Sequence, residues 1–120
     1  MLKQAIIINK GSGISNNLSL YYIVKGSISS IENSIVKRKK ETDLWFKTGQ
    51  KKITLQVPSS EVVIELIKKC LRANIQFITI SSTGELNKEF GQKNEDYSIL
   101  VLGPEHENKL DKITNHLKLY

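Results

Sequence analysis

The loop around Gly11 and Gly13 is the first place in this sequence where residue types and spacing could do chemistry. These glycines follow a short apolar run and precede a long segment with helical periodicity. Glycines between a strand and a helix let a phosphate approach the helix N-terminus, but the third glycine of a dinucleotide-binding motif is missing. We therefore interpret this loop as a turn that makes at most a weak phosphate contact.

Positive charge is concentrated in the first half of the chain. The 120 residues include 18 Lys and Arg and 12 Asp and Glu, which gives a net charge of +6. Residues 1–60 hold ten of the basic residues and three acids. Because each Lys or Arg near a phosphate displaces condensed counterions, this half can attract a polyanion. The expected RNA-binding residues are Lys10, Lys37, Arg38, Lys39, Lys40 and Lys51.

The basic run 37–40 also has a purely structural interpretation. It falls at the end of a predicted helix, where cations oppose the negative pole of the helix dipole. A solvated basic surface is an equal alternative on charge alone. Four aromatic residues lie amid the basic ones and suit base stacking, although aromatic residues more often belong to the core; they are Tyr21, Tyr22, Trp45 and Phe46.

The histidines and the cysteine indicate neither a metal site nor a nucleophile. His106 and His116 lie ten residues apart, with no third ligand at metal-binding spacing. Cys70 falls on the apolar stripe of a predicted helix, and a buried free cysteine behaves mostly as a small hydrophobe. A single cysteine also excludes an internal disulfide, which favours a reducing compartment. We expect no metal and no cofactor.

Alternating strands and helices are predicted for one domain over residues 1–120. Apolar runs predict strands at 4–9, 53–57, 75–82 and 97–102. Helical spacing predicts a first helix at about 17–39, with a cap at Asn16 or Asn17. A second predicted helix begins at a serine cap near residue 59 and ends at Asn74, and a third covers about 105–117. The apolar positions of the first helix are Leu18, Tyr21, Tyr22, Ile28, Ile31 and Ile35.

This order of elements predicts an α/β fold with a mixed four-stranded sheet and helices on both faces. Helical crossovers imply parallel neighbours, while a polar loop at 85–96 permits an antiparallel fourth strand. In such sheets ligands meet the loops at the carboxyl ends of the strands, here 10–17 and 81–84. No apolar stretch reaches the ~20 residues that a membrane helix needs, and the N-terminus lacks a secretory pattern. We expect a cytoplasmic protein without a membrane partner.

Several segments together resemble the type-2 peptidyl-tRNA hydrolase family. They are Trp45-Phe46, Gly49 to Ile53, Val57 to Glu61, Gly103-Pro104 and Asp111 to Tyr120. The resemblance covers nearly the whole chain, and its C-terminal stretch is the most specific part. It implies the same mixed four-stranded sheet, metal-free cleavage of the ester that joins a stalled peptide to tRNA, and association as a dimer.

The residues that the family uses for chemistry are the ones that differ. A family lysine near the start of the first helix corresponds to Leu18, and a family histidine to Lys25. The family's Asp-Ala-Gly after the third strand corresponds to the sequence Ser-Thr-Gly at 82–84, and a family threonine to Ser98. The resemblance thus implies Lys25, Ser82 and Ser98 as catalytic candidates, with Glu85 as a substitute acid.

Three functions follow from these observations. The favoured one is a type-2-like protein that binds tRNA or other RNA and whose hydrolase chemistry is lost or altered, because the scaffold residues persist while the family's lysine and aspartate are absent. The second is an active peptidyl-tRNA hydrolase with rearranged catalytic residues. The third is a non-enzymatic protein-interaction module. The expected partners are tRNA or another RNA and a second copy of the chain.

Overall fold

The order of strands and helices follows the predicted alternation. The computed structural model describes residues 1–86 and 96–120. The predicted loop at 85–96 falls largely outside these ranges, at residues 87–95. The described elements are β1 (Leu2–Asn9), a 3₁₀ turn (Lys10–Ser12), α1 (Asn16–Lys37), α2 (Lys39–Lys47), β2 (Lys52–Val57), α3 (Ser60–Ala73), β3 (Phe77–Ile80), β4 (Ile99–His106), α4 (Glu107–Thr114) and β5 (Lys118–Leu119).

The strands form one mixed sheet in the order β3-β4-β1-β2-β5. β1 and β2 are parallel, with Ala5 opposite Ile53. β4 runs antiparallel to both of its neighbours, so that Ile99 lies opposite Ile8 on one side and Ile80 on the other. This confirms the α/β class and the parallel pairing of β1 with β2. The fourth strand is antiparallel, as the polar loop before it permits, but β3 lies beside β4 and not beside β2, although a helical crossover joins β2 to β3. The described sheet has five strands rather than four, because β5 adds two residues to the free edge of β2.

Two apolar cores lie on opposite faces of the sheet. β1 is buried along its whole length, as expected for a central strand covered on both faces. Its alternate residues separate the cores: Ala5 and Ile7 pack with α3 and α4, while Ile6 and Ile8 pack with α1. Helices therefore cover both faces, as predicted, and the loops at the ends of the strands are left to carry functional groups.

The helix α1 faces the sheet with its small residues. Its buried positions are Ser19, Tyr22, Gly26, Ser27, Ser30 and Ser34. A Cβ added at Gly26 would lie 3.0 Å from Val101 Cγ2, so the helix approaches β4 closely. The Ser27 hydroxyl donates to Gln4 Oε1 (2.7 Å) and the Ser30 hydroxyl donates to the Gly103 carbonyl (2.5 Å). These buried hydrogen bonds satisfy polar groups that water cannot reach.

Half of the six apolar positions predicted for the first helix lie on its outer face. Tyr21, Ile28 and Ile35 are exposed, and only Tyr22 of the predicted set is fully buried. Periodicity indicates that a helix is two-sided, but the close approach at Gly26 determines which side meets the sheet. The helix is capped by Ser15, whose hydroxyl accepts from the Leu18 N–H at 3.1 Å, rather than by Asn16 or Asn17.

Other boundaries also differ from the predicted ones. The first helix stops at Lys37, and Arg38 has an extended φ of −137° before α2 begins. β4 continues past Leu102 through Gly103 and Pro104 to His106, and α4 is correspondingly shorter than predicted. By contrast, Ser59 caps α3 and Asn74 ends it with a φ of +55°, as predicted from their residue types.

The α2 helix is joined to the sheet by Trp45. This residue is fully buried, and its indole N–H donates to the Lys51 carbonyl at 2.8 Å. The Lys52 ammonium lies 4.8 Å from the centre of its ring. The core interpretation therefore holds for Trp45 and for the buried Tyr22, while Tyr21 and Phe46 keep substantial exposed surface.

Arg38, at the junction of α1 and α2, forms an ion pair with a buried carboxylate. Its guanidinium donates to Glu105 Oε1 at 2.9 Å, and the side chain of Glu105 is 1% exposed. A second carboxylate, Glu41, lies 3.5 Å away. A buried charge that loses its partner is costly, so this pair holds the junction against β4.

We expect Arg38→Ala to lower the free energy of unfolding by about 1–3 kcal/mol, because Glu105 would keep a buried carboxylate without its partner. Urea denaturation followed by circular dichroism measures this difference. Lys40→Ala is the matched control, since Lys40 is exposed two residues away and its loss should cost less than about 0.5 kcal/mol. Equal midpoints for the two variants would contradict a structural role for Arg38.

Candidate functional site at the carboxyl edge of the sheet

The carboxyl ends of β1, β2 and β3 meet at one edge of the sheet, which we call the carboxyl edge. The Asn9 N–H donates to the Ser98 carbonyl at 2.9 Å, and the Ser98 N–H donates to the Ile80 carbonyl at 2.8 Å. Val57 lies opposite Asn9. The chain segments that follow β1 and β3 and the segment that precedes β4 are therefore neighbours here.

The loop after β1 is built as a tight turn. Asn9 caps the 3₁₀ turn by accepting from the Gly11 N–H at 2.9 Å. A Cβ at Gly11 would lie 2.2 Å from the Pro58 carbonyl oxygen, so only glycine fits against the loop after β2. The Gly11 amide is already bonded, which agrees with the turn interpretation of the two glycines rather than with a phosphate cradle.

Two of the three catalytic candidates, Ser82 and Lys25, come together at the turn after β3. The Lys25 ammonium, on α1, donates to the Gly84 carbonyl at 2.9 Å, and the Tyr22 hydroxyl donates to the Ser82 carbonyl at 2.9 Å. Both contacts tie the turn at 81–84 to α1. The Ser82 hydroxyl donates to the Asp96 carboxylate, in the segment just before β4. Lys25, Ser82 and Asp96 thus form one polar cluster, which we call the β3-turn cluster.

Ser98 occupies a different environment. Its residue is fully buried, and its hydroxyl has no hydrogen-bond partner within residues 1–86 and 96–120. Its backbone pairs with Ile80 and Asn9 on either side. The structure therefore places Ser98 beside the β3-turn cluster in sequence and in space, but its hydroxyl is buried.

Leu18 and Glu85 take up the remaining positions singled out by the resemblance. Leu18 packs against the α1-side core near Tyr22 and Ile80, as suits an apolar side chain in the place of the family's lysine. Glu85 is exposed and accepts a hydrogen bond from the Thr83 hydroxyl at 3.0 Å. The carboxylate that contacts Ser82 is therefore Asp96 rather than Glu85.

The predicted RNA-binding residues divide between two edges of the sheet. Lys10 lies at the carboxyl edge, with its ammonium 5.2 Å from the Tyr120 ring centre. It borders an open groove of about 320 Å³ together with His116 and Lys118. The run 37–40 lies about 18 Å along α1 from Lys25, at 1.5 Å per residue, and therefore faces the opposite edge.

The availability of these basic side chains also differs. Lys37 and Lys40 are exposed and form no ion pair within the described residues. Lys39 is 74% exposed, with Asp43 3.0 Å away. Arg38 is engaged with Glu105, and Lys51 with Glu107. The hydrogen bond from Lys51 lowers the pKa of the Glu107 carboxyl group.

Cys70 and the histidines add no reactive group to the site. Cys70 is fully buried on the inner face of α3, and burial raises the pKa of its thiol to about 12. The thiolate needed for nucleophilic attack is therefore scarce at neutral pH. Within residues 1–86 and 96–120, no group of three or more His, Cys, Asp or Glu side chains could hold a metal ion. No helix in the same ranges is long and apolar enough to cross a membrane.

Comparison with known proteins identifies the class to which this fold and site belong. The family model described as peptidyl-tRNA hydrolase PTH2 matches residues 2–120. A peptidyl-tRNA hydrolase of Nanoarchaeum equitans is 28% identical over 120 residues, covering all of both chains. One from Methanocaldococcus jannaschii is 26% identical over 98% of this chain and 99% of its own. Peptidyl-tRNA hydrolase 2 of Saccharomyces cerevisiae is 34% identical over 66% of this chain and 36% of its own.

The chain belongs to the type-2 peptidyl-tRNA hydrolase family. It is a type-2-like protein of translation whose fold confirms the resemblance carried by the sequence segments. Of the residues in the β3-turn cluster, Asp96 is the one that the sequence analysis did not single out. Its only sequence signal is a carboxylate directly before a predicted strand that pairs with β3.

Proposed function

We propose that this protein binds peptidyl-tRNA and cleaves its ester by an altered form of the family's chemistry at the β3-turn cluster. The observation that carries the proposal is the pair of α1 contacts, from Lys25 to Gly84 and from Tyr22 to Ser82, which hold an ammonium and a hydroxyl at one turn. Ester hydrolysis needs a group that orients water and a donor for the developing oxyanion. Ser82 and Lys25 are suited to these two roles.

Binding of the tRNA is assigned to the exposed lysines. Lys10 lies at the same edge as the β3-turn cluster, and Lys37, Lys39 and Lys40 extend the positive surface along α1. A tRNA is much longer than the 37 Å of this protein, so one substrate can reach both edges. A cytoplasmic location, where tRNA is charged and used, is part of the proposal.

Binding without cleavage is the second candidate. It is favoured by Leu18, since an apolar side chain packed against Tyr22 cannot supply the charge of the family's lysine. In that case the protein would bind tRNA with the same salt dependence but release no peptide. The two candidates differ in a single measurement, the rate of ester cleavage above the spontaneous rate.

We expect Lys25→Ala and Ser82→Ala each to slow the release of an N-blocked amino acid from its tRNA ester by about 10²-fold, because each removes a positioned catalytic group. Single-turnover release with excess protein measures this rate. Ser98→Ala should have a smaller effect than Ser82→Ala, since the Ser98 hydroxyl is buried. Ser29→Ala and Lys112→Ala are controls away from the cluster. Wild-type rates in both Lys25→Ala and Ser82→Ala would contradict the assignment.

Replacing Lys37, Lys39 and Lys40 together by alanine should weaken tRNA binding and reduce the slope of log Kd against log salt concentration by about 2, because each phosphate contact releases counterions. A salt series of fluorescence-anisotropy titrations measures both quantities. The control replaces Arg72, Lys109 and Lys112, which are equally exposed and lie in the second half of the chain. An equal loss of affinity in both triple variants would indicate a diffuse charge effect instead of a binding surface.

We also propose that two copies of the chain associate through α1. The outer face of this helix carries a stripe of exposed apolar residues: Leu20, Tyr21, Val24, Ile28, Ile35 and Val36. A contiguous apolar patch of this kind marks an interaction surface, and a stripe along one helix can pair with its own copy about a two-fold axis. Tyr21 of this stripe also contacts the β3-turn cluster, since the Lys25 ammonium lies 5.9 Å from its ring centre.

The expected mass of the wild-type protein in solution is twice 13.6 kDa. Leu20→Lys combined with Val24→Lys should yield the monomer, because two charges would be placed in the apolar stripe. Light scattering after size-exclusion chromatography measures the mass. Leu71→Lys, at an apolar residue that is 57% exposed on α3, is the control and should remain a dimer. A wild-type monomer at micromolar concentration would refute the dimer.

A further inference from the structure

Asp96 is joined to Ser82 across the sheet edge although 14 residues separate them in sequence. Ser82 lies in the turn after β3, and Asp96 lies three residues before the first residue of β4. Because Ile80 is paired with Ile99, these two segments leave the sheet side by side. The Ser82 hydroxyl donates to Asp96 Oδ2, which orients its lone pairs away from the carboxylate.

The turn that carries Ser82 is fixed from three directions. The Tyr22 hydroxyl holds the Ser82 carbonyl, and the Gly84 N–H donates to the Ser81 carbonyl at 2.9 Å. The Glu85 N–H donates to the Ser81 hydroxyl at 3.0 Å. With the backbone held in this way, the remaining freedom of Ser82 is the rotation of its side chain about χ1 and of its hydroxyl. The contact with Asp96 sets that rotation.

We propose that Asp96 is the positioning residue of the β3-turn cluster, which orients the Ser82 hydroxyl and accepts a proton through it during ester cleavage. This inference rests on the proposed function. Serine alone is a poor base at neutral pH, but a serine hydrogen-bonded to a carboxylate can pass a proton on. The proposal therefore supplies the group that Ser82 lacks by itself.

The step balances without an additional reactant. As the water oxygen bonds to the ester carbonyl carbon, one water proton passes to Ser82 Oγ and the Ser82 proton passes to Asp96. The Lys25 ammonium, fixed at Gly84, opposes the negative charge that develops on the carbonyl oxygen. When the carbon–oxygen bond to the ribose breaks, the proton returns from Asp96 through Ser82 to the ribose oxygen. The products are a carboxylic acid and the free tRNA hydroxyl.

Other ionisable groups surround this turn and compete for the same pH dependence. Within the described residues, the contacts of the turn and of Asp96's neighbour place four such groups here: Tyr22 and Lys25 from α1, Glu85 from the turn itself, and Tyr97 next to Asp96. Glu85 is the important competitor because it is also a carboxylate. Its side-chain contact is with the Thr83 hydroxyl, whereas the Ser82 hydroxyl donates to Asp96.

The test is the pH dependence of single-turnover release for the wild type, Asp96→Asn, Asp96→Glu, Ser82→Ala and the double variant of Ser82→Ala with Asp96→Asn. Asparagine keeps an oxygen that can accept the Ser82 hydrogen bond and removes only the charge and basicity. We expect Asp96→Asn to lower the rate by about 10²-fold with unchanged tRNA affinity and thermal stability. The fall in activity at low pH should be absent, because the asparagine side chain is not a base.

Two comparisons separate this role from a structural one. Asp96→Glu should restore part of the rate, and the double variant should be no slower than Ser82→Ala, because the two residues act as a unit. Glu85→Gln should keep the low-pH fall in activity. Glu65→Gln, at an exposed carboxylate on α3, controls for the loss of one negative charge.

The outcomes distinguish the inference from the proposed function. If the wild type releases no more than the spontaneous amount, both are wrong. If the wild type is active and Asp96→Asn keeps its rate and its low-pH fall, only the role of Asp96 is overturned. Loss of the low-pH fall in Glu85→Gln, or independent effects of Ser82→Ala and Asp96→Asn, would equally overturn it.

Discussion

The antiparallel pairing of β4 with both β1 and β3 fixes the position of every polar group at the carboxyl edge. Ile99 lies between Ile8 and Ile80, and all three are buried on the α1 side of the sheet. A shift of β4 by one residue would turn Ile99 to the opposite face of the sheet. It would also move Asp96 away from Ser82. The apolar core and the β3-turn cluster are therefore specified by the same pairing.

The small buried residues of α1 determine which side chains of this helix reach the turn after β3. Because Gly26, Ser27 and Ser30 bring the helix close to β4, the side chains of Tyr22 and Lys25 can reach the turn after β3. The same choice of buried face turns the apolar residues outward. This one choice of packing accounts for both the held turn and the exposed apolar stripe.

Local signals were sufficient for much of the fold. The apolar run of β1, the serine cap of α3 and the left-handed Asn74 each depend on residues within a few positions of one another, and all three were predicted. The polar loop before the fourth strand permitted its antiparallel direction but did not require it. The resemblance to the hydrolase family added the location of the site at the turn after β3, and the family match confirms that membership.

Features that depend on distant residues were not predictable in this way. The break at Arg38 is stabilised by Glu105, 67 residues further along, and β5 is too short to leave a periodic pattern. The buried face of α1 is set by the close approach of the helix to β4 at Gly26. The apolar periodicity of the sequence carries no signal of that contact. Asp96 lies at the end of a polar segment and acquires a partner only when β3 and β4 pair. The three residues that were predicted to be catalytic therefore remain a hypothesis, to which the fold contributes a fourth.

The buried side chain of Trp45 is an intrinsic fluorescence probe. Trp45 is the only tryptophan of the chain, and its ring lies between the Lys52 ammonium at 4.8 Å and the Phe46 ring at 5.2 Å. Indole emission responds to nearby charge and to hydrogen bonding, and here both come from the residues that enter β2. A polyanion that displaces α2 or the side chain of Lys52 would therefore change the tryptophan fluorescence directly. No label would be needed to follow events at the basic end of the molecule.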